Sequence, residues 1–269
     1  VLLCFLPVES LLLGNDPDWD TFKATWGPTP LSSGAFIEQP RTEKDAIKDK
    51  YQKIAGSCNG KTLGNRYMKN NDSALILLFD SQGIIAGIPI PLIESGHYAF
   101  DKQRMFNRDV INGINAYTLT AYFVNPGRDE KSLKSDGTGT GLWLQNGANP
   151  LTDSMAIPLR EENIGSTKWT KGACFPSMGV HYWYDNHLDA DCDTFFPSFL
   201  LFNRGKLTGF GWSVVGKFEY SKRFEYPPTA AIQSFLIPVP KCIPKRYEEA
   251  GGFTTMHLYF NTEPWNLIC

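Results

Sequence analysis

The chain has 269 residues and a formal net charge of -2, from 26 Lys and Arg against 28 Asp and Glu. That balance is neither basic enough for a general nucleic-acid binder nor acidic enough for a solvating tail. An apolar content of 42% excludes disorder, and a chain of this length can bury a full core without a metal or disulfide staple.

The chain opens VLLCFLPVESLLLG over residues 1–14. This apolar run, interrupted by Pro7 and Glu9, reads as the remaining apolar part of a secretory signal, or as an N-terminal strand with Cys4 paired in the fold. Neither it nor any other run approaches the roughly 20 apolar residues that a membrane helix needs. Residues 15–269 read as one β-rich globular domain, the alternative being a boundary inside the irregular stretch 126–158.

One helix is signalled, over 43–55. Thr42 caps it, Asp45 reaches back as in a capping box, and Ala46, Ile47, Tyr51, Ile54 and Ala55 form an apolar stripe that ends at Gly56. Most of the remainder reads as strands. Residues 73–80 and 84–91 flank Ser81-Gln82-Gly83 as a hairpin, and 116–124 alternates. Leu142-Trp143-Leu144 is a short strand within the long loop, and 179–185 is β-branched and aromatic. Residues 199–202 and 207–215 flank a tight turn at Asn203–Lys206, and 232–239 and 253–260 complete the set. With a single helix to cover a face, the pattern gives a mostly β (α+β) fold: an antiparallel sandwich or barrel-like sheet with one peripheral helix.

The six cysteines are dispersed, with no Cys-x-x-Cys, which disfavours a zinc ribbon or a thioredoxin-type site and suits disulfides in a secreted chain. Cys174 and Cys192 flank one segment and are the expected local pair. Asn71-Asp72-Ser73 is an N-glycosylation sequon.

The segment richest in chemistry is HYWYDNHLDADCD, residues 181–193. On a strand His181 and Asp185 share a face, with His187 following from the loop, so His181, Asp185 and His187 form a candidate metal set. The alternative is a strand ending in an acidic, solvated loop. Asp189, Asp191 and Asp193 alternate as in a calcium loop, but Thr194 and Leu200 stand where an EF-hand needs Gly and Glu. His257 shares its strand face with Thr255 and Tyr259, and if His181 and His257 lie on neighbouring strands they converge on one cavity as a candidate catalytic pair. His97 is isolated. Gly137-Thr138-Gly139-Thr140-Gly141 lacks the context of a P-loop, no Gly-x-Ser-x-Gly or His-Glu-x-x-His is present, and no cofactor is indicated. Tyr182, Trp183, Tyr184, Phe199, Phe210 and Trp212 are the candidate lining of a pocket for a small apolar or aromatic molecule, or else ordinary core.

The C-terminal part resembles a group of uncharacterised secreted proteins of marine invertebrates. The likeness is carried by Cys174-Phe175-Pro176, by Met178–Tyr184, by Cys192 and by Phe196–Asn203. It continues through Gly205-Lys206-Leu207, Gly209–Trp212, Thr255-Met256-His257 and Cys269. It implies secretion and, through kinship with secreted luciferases of bioluminescent worms, an oxidation of a small luciferin by oxygen that no catalytic motif in this chain carries. Three functions therefore stand: a secreted binding protein for a small apolar or aromatic molecule, a secreted oxygen-using oxidoreductase of the oxidase or luciferase kind, and an extracellular structural protein. None involves nucleic acid or a membrane span.

Overall fold

A computed structural model describes residues 21–25, 35–56, 63–93, 100–128, 133–138 and 141–267. The signal-like segment 1–14, Cys58, His97, Gly139, Thr140 and Cys269 lie outside the described residues. The fold is mostly β. One sheet has β11 (Trp169–Phe175), β12 (Gly179–Tyr184), β13 (Ser198–Asn203), β14 (Lys206–Val215), β15 (Phe253–Tyr259), β1 (Lys23–Thr25) and β2 (Phe36–Glu38), in that spatial order. The other runs β10 (Ser154–Ile157), β9 (Leu142–Gln145), β8 (Ile114–Tyr122), β6 (Ile85–Ile93), β5 (Asp72–Phe79), β4 (Asn65–Lys69) and β3 (Tyr51–Gly56), with β7 (Asn107–Ile111) also paired to β8. Both sheets are antiparallel and open, so the sandwich is realised and the barrel is not.

Strand alternation divides the first sheet's side chains between two environments. Leu200, Phe202, Phe210, Trp212, Met256 and Leu258 face the second sheet, meeting Leu75, Leu77, Phe79, Ile88, Ile90 and Leu119. Trp183, Phe199, Leu201 and Tyr259 point the other way, beneath Ile232, Leu236 and Ile243 of two short helices and their connections. These helices are α2 (Thr229–Phe235) and α3 (Ile243–Glu249); α1 spans Glu43–Lys48.

Two expectations are corrected. The first helix is half its expected length. Its cap is as read, with the Asp45 amide donating to Thr42 Oγ1 at 3.1 Å, but Lys50 turns the chain at φ 65° and Tyr51–Gly56 leaves to pair with β4. Strand pairing overrides the helical stripe. Conversely, the expected strand 232–239 does not form: Pro228 opens α2 in extended conformation, the helix runs through Phe235, 236–239 follow as irregular chain, and Ile232 and Leu236, four apart, dock on the sheet. The helical covering of the outer face comes from α2 and α3.

The expected hairpins form. Gly83 takes φ +77° between β5 and β6, and Arg204 and Gly205 take φ 52° and 75° between β13 and β14. The long irregular stretch contains β10 as well as the short strand at 142–145. No helix among the described residues is long and apolar enough to cross a membrane.

Candidate functional site

The outer face of the first sheet carries the two candidate imidazoles. His181 lies on β12 and His257 on β15, with β13 and β14 between them, so they are not on neighbouring strands. Their ring centroids are nevertheless 6.1 Å apart. The reason lies in the two intervening strands. Gly209 and Gly211 of β14 present no side chain to this face, and a Cβ at Gly211 would lie 2.2 Å from Phe199 Cζ. The Phe199 ring fills that gap, 5.4 Å from His181 and 4.8 Å from His257. The alternation Gly-Phe-Gly-Trp thus places bulk in the core and clears the opposite face.

His257 is anchored by Glu225, a residue the sequence did not single out. Along β15 one edge pairs with β14, while the other carries β1 only at Leu258 and Tyr259. Glu225 takes that edge at Thr255 through a reciprocal pair of backbone hydrogen bonds, each 2.9 Å. Residues 255, 257 and 259 share a face, so the Glu225 carboxylate lies beside them. Its Oε2 is 2.5 Å from His257 Nδ1 and accepts from the Thr255 hydroxyl at 3.2 Å. Both partners are mostly buried, with 7% of the His257 side chain and 16% of the Glu225 side chain exposed.

His181 is a different imidazole. It is fully enclosed by Trp183, Phe199 and Phe235, the last stacked at 5.1 Å, and its Nδ1 has no hydrogen-bond partner. Burial, with His257 adding to it, pushes its pKa down to about 3, so it is neutral. Tyr259, stacked on His257, has its hydroxyl held well above the usual tyrosine range by burial and by the Glu225 charge.

Above this floor lies a cleft of about 900 Å³. Phe175, Met178, Tyr220, Phe224, Ala231 and Phe235 supply apolar walls, Glu225, Thr255 and His257 the polar floor, and Glu219 and Lys222 the charged rim. Two walls are tied down separately. The segment before α2 is held by Tyr220, which donates to Pro91 O at 2.5 Å, and by Ser221 and Arg223, which both donate to Asp72 at 2.9 and 3.1 Å. The α2 wall is held by Trp183 Nε1, which donates to Phe235 O at 3.0 Å, and by Asn186, which donates to Pro238 O at 2.8 Å.

A disulfide completes the second anchorage, and it corrects the expected pairing. Cys192 is bonded to Cys242, fifty residues on, not to Cys174. Cys174 is itself disulfide-bonded. Nearness in sequence does not pair 174 with 192, because Cys174 lies within β11, whereas Cys192 follows β12 and meets Cys242 at the start of α3.

The metal set His181, Asp185 and His187 is not assembled. Asp185 has φ 52°, which turns the strand end outward, and its exposed carboxylate pairs with Lys168 at 3.0 Å. His187 is exposed and lines a separate, smaller cleft with Asp185 and Asp191. Among the described residues, no group of three His, Cys, Asp or Glu could hold a metal ion.

The six expected aromatic lining residues are also divided. Trp183 and Phe199 back the site, Tyr182, Phe210 and Trp212 lie in the sandwich interior, and Tyr184 packs on Phe196 at 4.6 Å. The expectation of a shared lining fails because consecutive strand residues face opposite ways. Asn71 is exposed in the β4–β5 turn. The chain matches no protein-family model, no curated protein and no solved structure.

Proposed function

We propose that this disulfide-bonded β-rich protein is secreted and binds a small, largely apolar aromatic molecule in the cleft over the outer face of its first sheet. The observation that carries this reading is the cleft itself: aromatic and apolar walls around a small set of convergent polar groups, the usual composition of a small-molecule site. Its volume suits a ligand of drug-like size. Phe224 and Phe235 supply aromatic contacts in the lining, and Glu225 with His257 offers an orienting polar contact. The Cys192–Cys242 bridge and the exposed sequon at Asn71 accord with an extracellular setting.

Native mass spectrometry of protein recovered from the medium of secreting cells tests this reading. The expected result is a bound small organic molecule, absent from Ala231→Trp, which puts an indole into the cleft. A secreted protein with an unliganded mass, and no uptake of added aromatic compounds, would overturn it.

A second reading is a secreted oxygen-using oxidoreductase of the oxidase or luciferase kind. The observation that favours it is the His257 imidazole paired with the mostly buried Glu225 carboxylate in the cleft lining, with the neutral His181 ring 6.1 Å behind it. Oxygen consumption with a bound aromatic substrate, lost in His257→Gln, would separate it from simple binding.

A further inference from the structure

The Glu225–His257 pair does more than a polar anchor requires. A hydrogen-bonding handle for an aromatic ligand needs one hydroxyl or amide. Here a carboxylate and an imidazole are held in contact at 2.5 Å, both mostly buried, and both line the same apolar cleft. The carboxylate is fixed from two directions, by its own backbone bridge to Thr255 and by the Thr255 hydroxyl. An imidazole oriented through Nδ1 by a carboxylate is a proton acceptor whose charged form that carboxylate stabilises.

Resting on the binding reading above, we propose that the cleft takes up phenols or enols and that the Glu225–His257 pair removes their hydroxyl proton. The ligand O–H bond breaks, an N–H bond forms on the His257 ring, and the electron pair stays on the ligand oxygen. No oxidant is consumed. The imidazolium then lies between two anions, Glu225 and the ligand phenolate or enolate.

The surroundings of His257 accord with this transfer. Across the sheet face it meets His181, which burial keeps neutral, so no second positive charge opposes the imidazolium. Beside it on β15 is Tyr259, whose own hydroxyl is held protonated by burial and by Glu225 and does not compete as an acid. From the segment before α2 the charged groups in the lining are Glu225, Glu219 and Lys222, Lys222 being the cation, while Arg223 is turned to Asp72. The aromatic walls favour a ring as the carrier of the hydroxyl.

The test uses 7-hydroxycoumarin, whose phenol and phenolate absorb at different wavelengths, with 7-methoxycoumarin as a probe of equal shape and no acidic proton. The titration is run on the disulfide-bonded protein at a pH where the free dye is protonated. Wild type is expected to bind both dyes and to show the phenolate band for bound 7-hydroxycoumarin. Glu225→Gln and His257→Gln are expected to bind both dyes more weakly and, with protein in excess until the 7-methoxycoumarin signal saturates, to show the phenol band for bound 7-hydroxycoumarin. Near-ultraviolet circular dichroism confirms that each variant is folded. If one variant does not fold, the other decides. A phenol band in wild type, or a phenolate band retained in both folded variants, would overturn the proton transfer while leaving the binding reading intact. Failure of wild type to bind either dye would overturn both.

Discussion

The two faces of the first sheet are built from the same strands and serve opposite ends. Its inner face sets Leu200, Phe202, Phe210, Trp212, Met256 and Leu258 against the second sheet. Its outer face sets His181, Phe199, Thr255 and His257 beneath a helical cover tied on by a disulfide and a few side-chain hydrogen bonds. The inner face is a packing surface; on the outer one the β14 glycines make room for the Phe199 ring, and the cleft lies over Thr255 and His257 of β15. A strand can therefore specify the core with one half of its residues and a site with the other half. The two halves should respond differently to mutation.

The largest effect is expected on the inner face. Trp212→Ala removes a buried indole and should lower unfolding stability by about 3–5 kcal/mol in denaturant titration, with dye affinity unchanged in the molecules that remain folded. An equal loss of affinity would mean that the faces are not separable. Next comes the tether of the outer cover. The Cys192→Ser, Cys242→Ser double variant opens a loop spanning fifty residues, which should cost about 2–4 kcal/mol. Hydrogen exchange should then rise first in 229–249 and not in β5 or β8.

A smaller change sharpens the contrast from the outer side. Gly211→Ala puts a Cβ into the space of the Phe199 ring and should cost about 1–3 kcal/mol. Unlike Trp212→Ala it should also weaken dye binding, because Phe199 packs beside His257.

Acid probes the same face through His181. Its pKa is lowered from 6.5 in the unfolded chain to about 3 in the fold, so the unfolded state binds the extra proton between those values. Stability should fall as pH drops below 6.5, by at most about 1.4 kcal/mol per pH unit from this group. The slope should flatten in His181→Phe, and an unchanged slope would show that His181 is not the buried base. The smallest effect is expected at Asp185. Its pair with Lys168 is solvent-exposed on both sides, so Asp185→Asn should change stability by less than about 1 kcal/mol and leave the cleft untouched.

The sequence held much of the fold and part of the site. Strands β5, β6, β8, β12, β13, β14 and β15 were legible because each is a run of apolar or aromatic residues bounded by turn formers. Short strands such as β3 and β10 were not, because their pairing partners define them more than their own composition does. The expected convergence of His181 and His257 on one cavity rests on neighbouring strands; two strands lie between them, and although their rings are 6.1 Å apart only His257 lines the cleft. Glu225 was not legible, since SKRFEYPPT carries no periodicity and its place depends on a backbone bridge to a strand thirty residues on. The aromatics of 182–184 are adjacent in sequence but not in the fold, because strand alternation sends 182 inward and 183 outward.

The central claim, that the outer-face cleft is the ligand site, is tested most directly by hydrogen–deuterium exchange with and without saturating 2-naphthol. Protection is expected in 219–228 and 229–235 and at the β15 amides around His257, and it should be absent in Ala231→Trp. Protection confined to other surfaces, or identical in wild type and Ala231→Trp, would contradict the account.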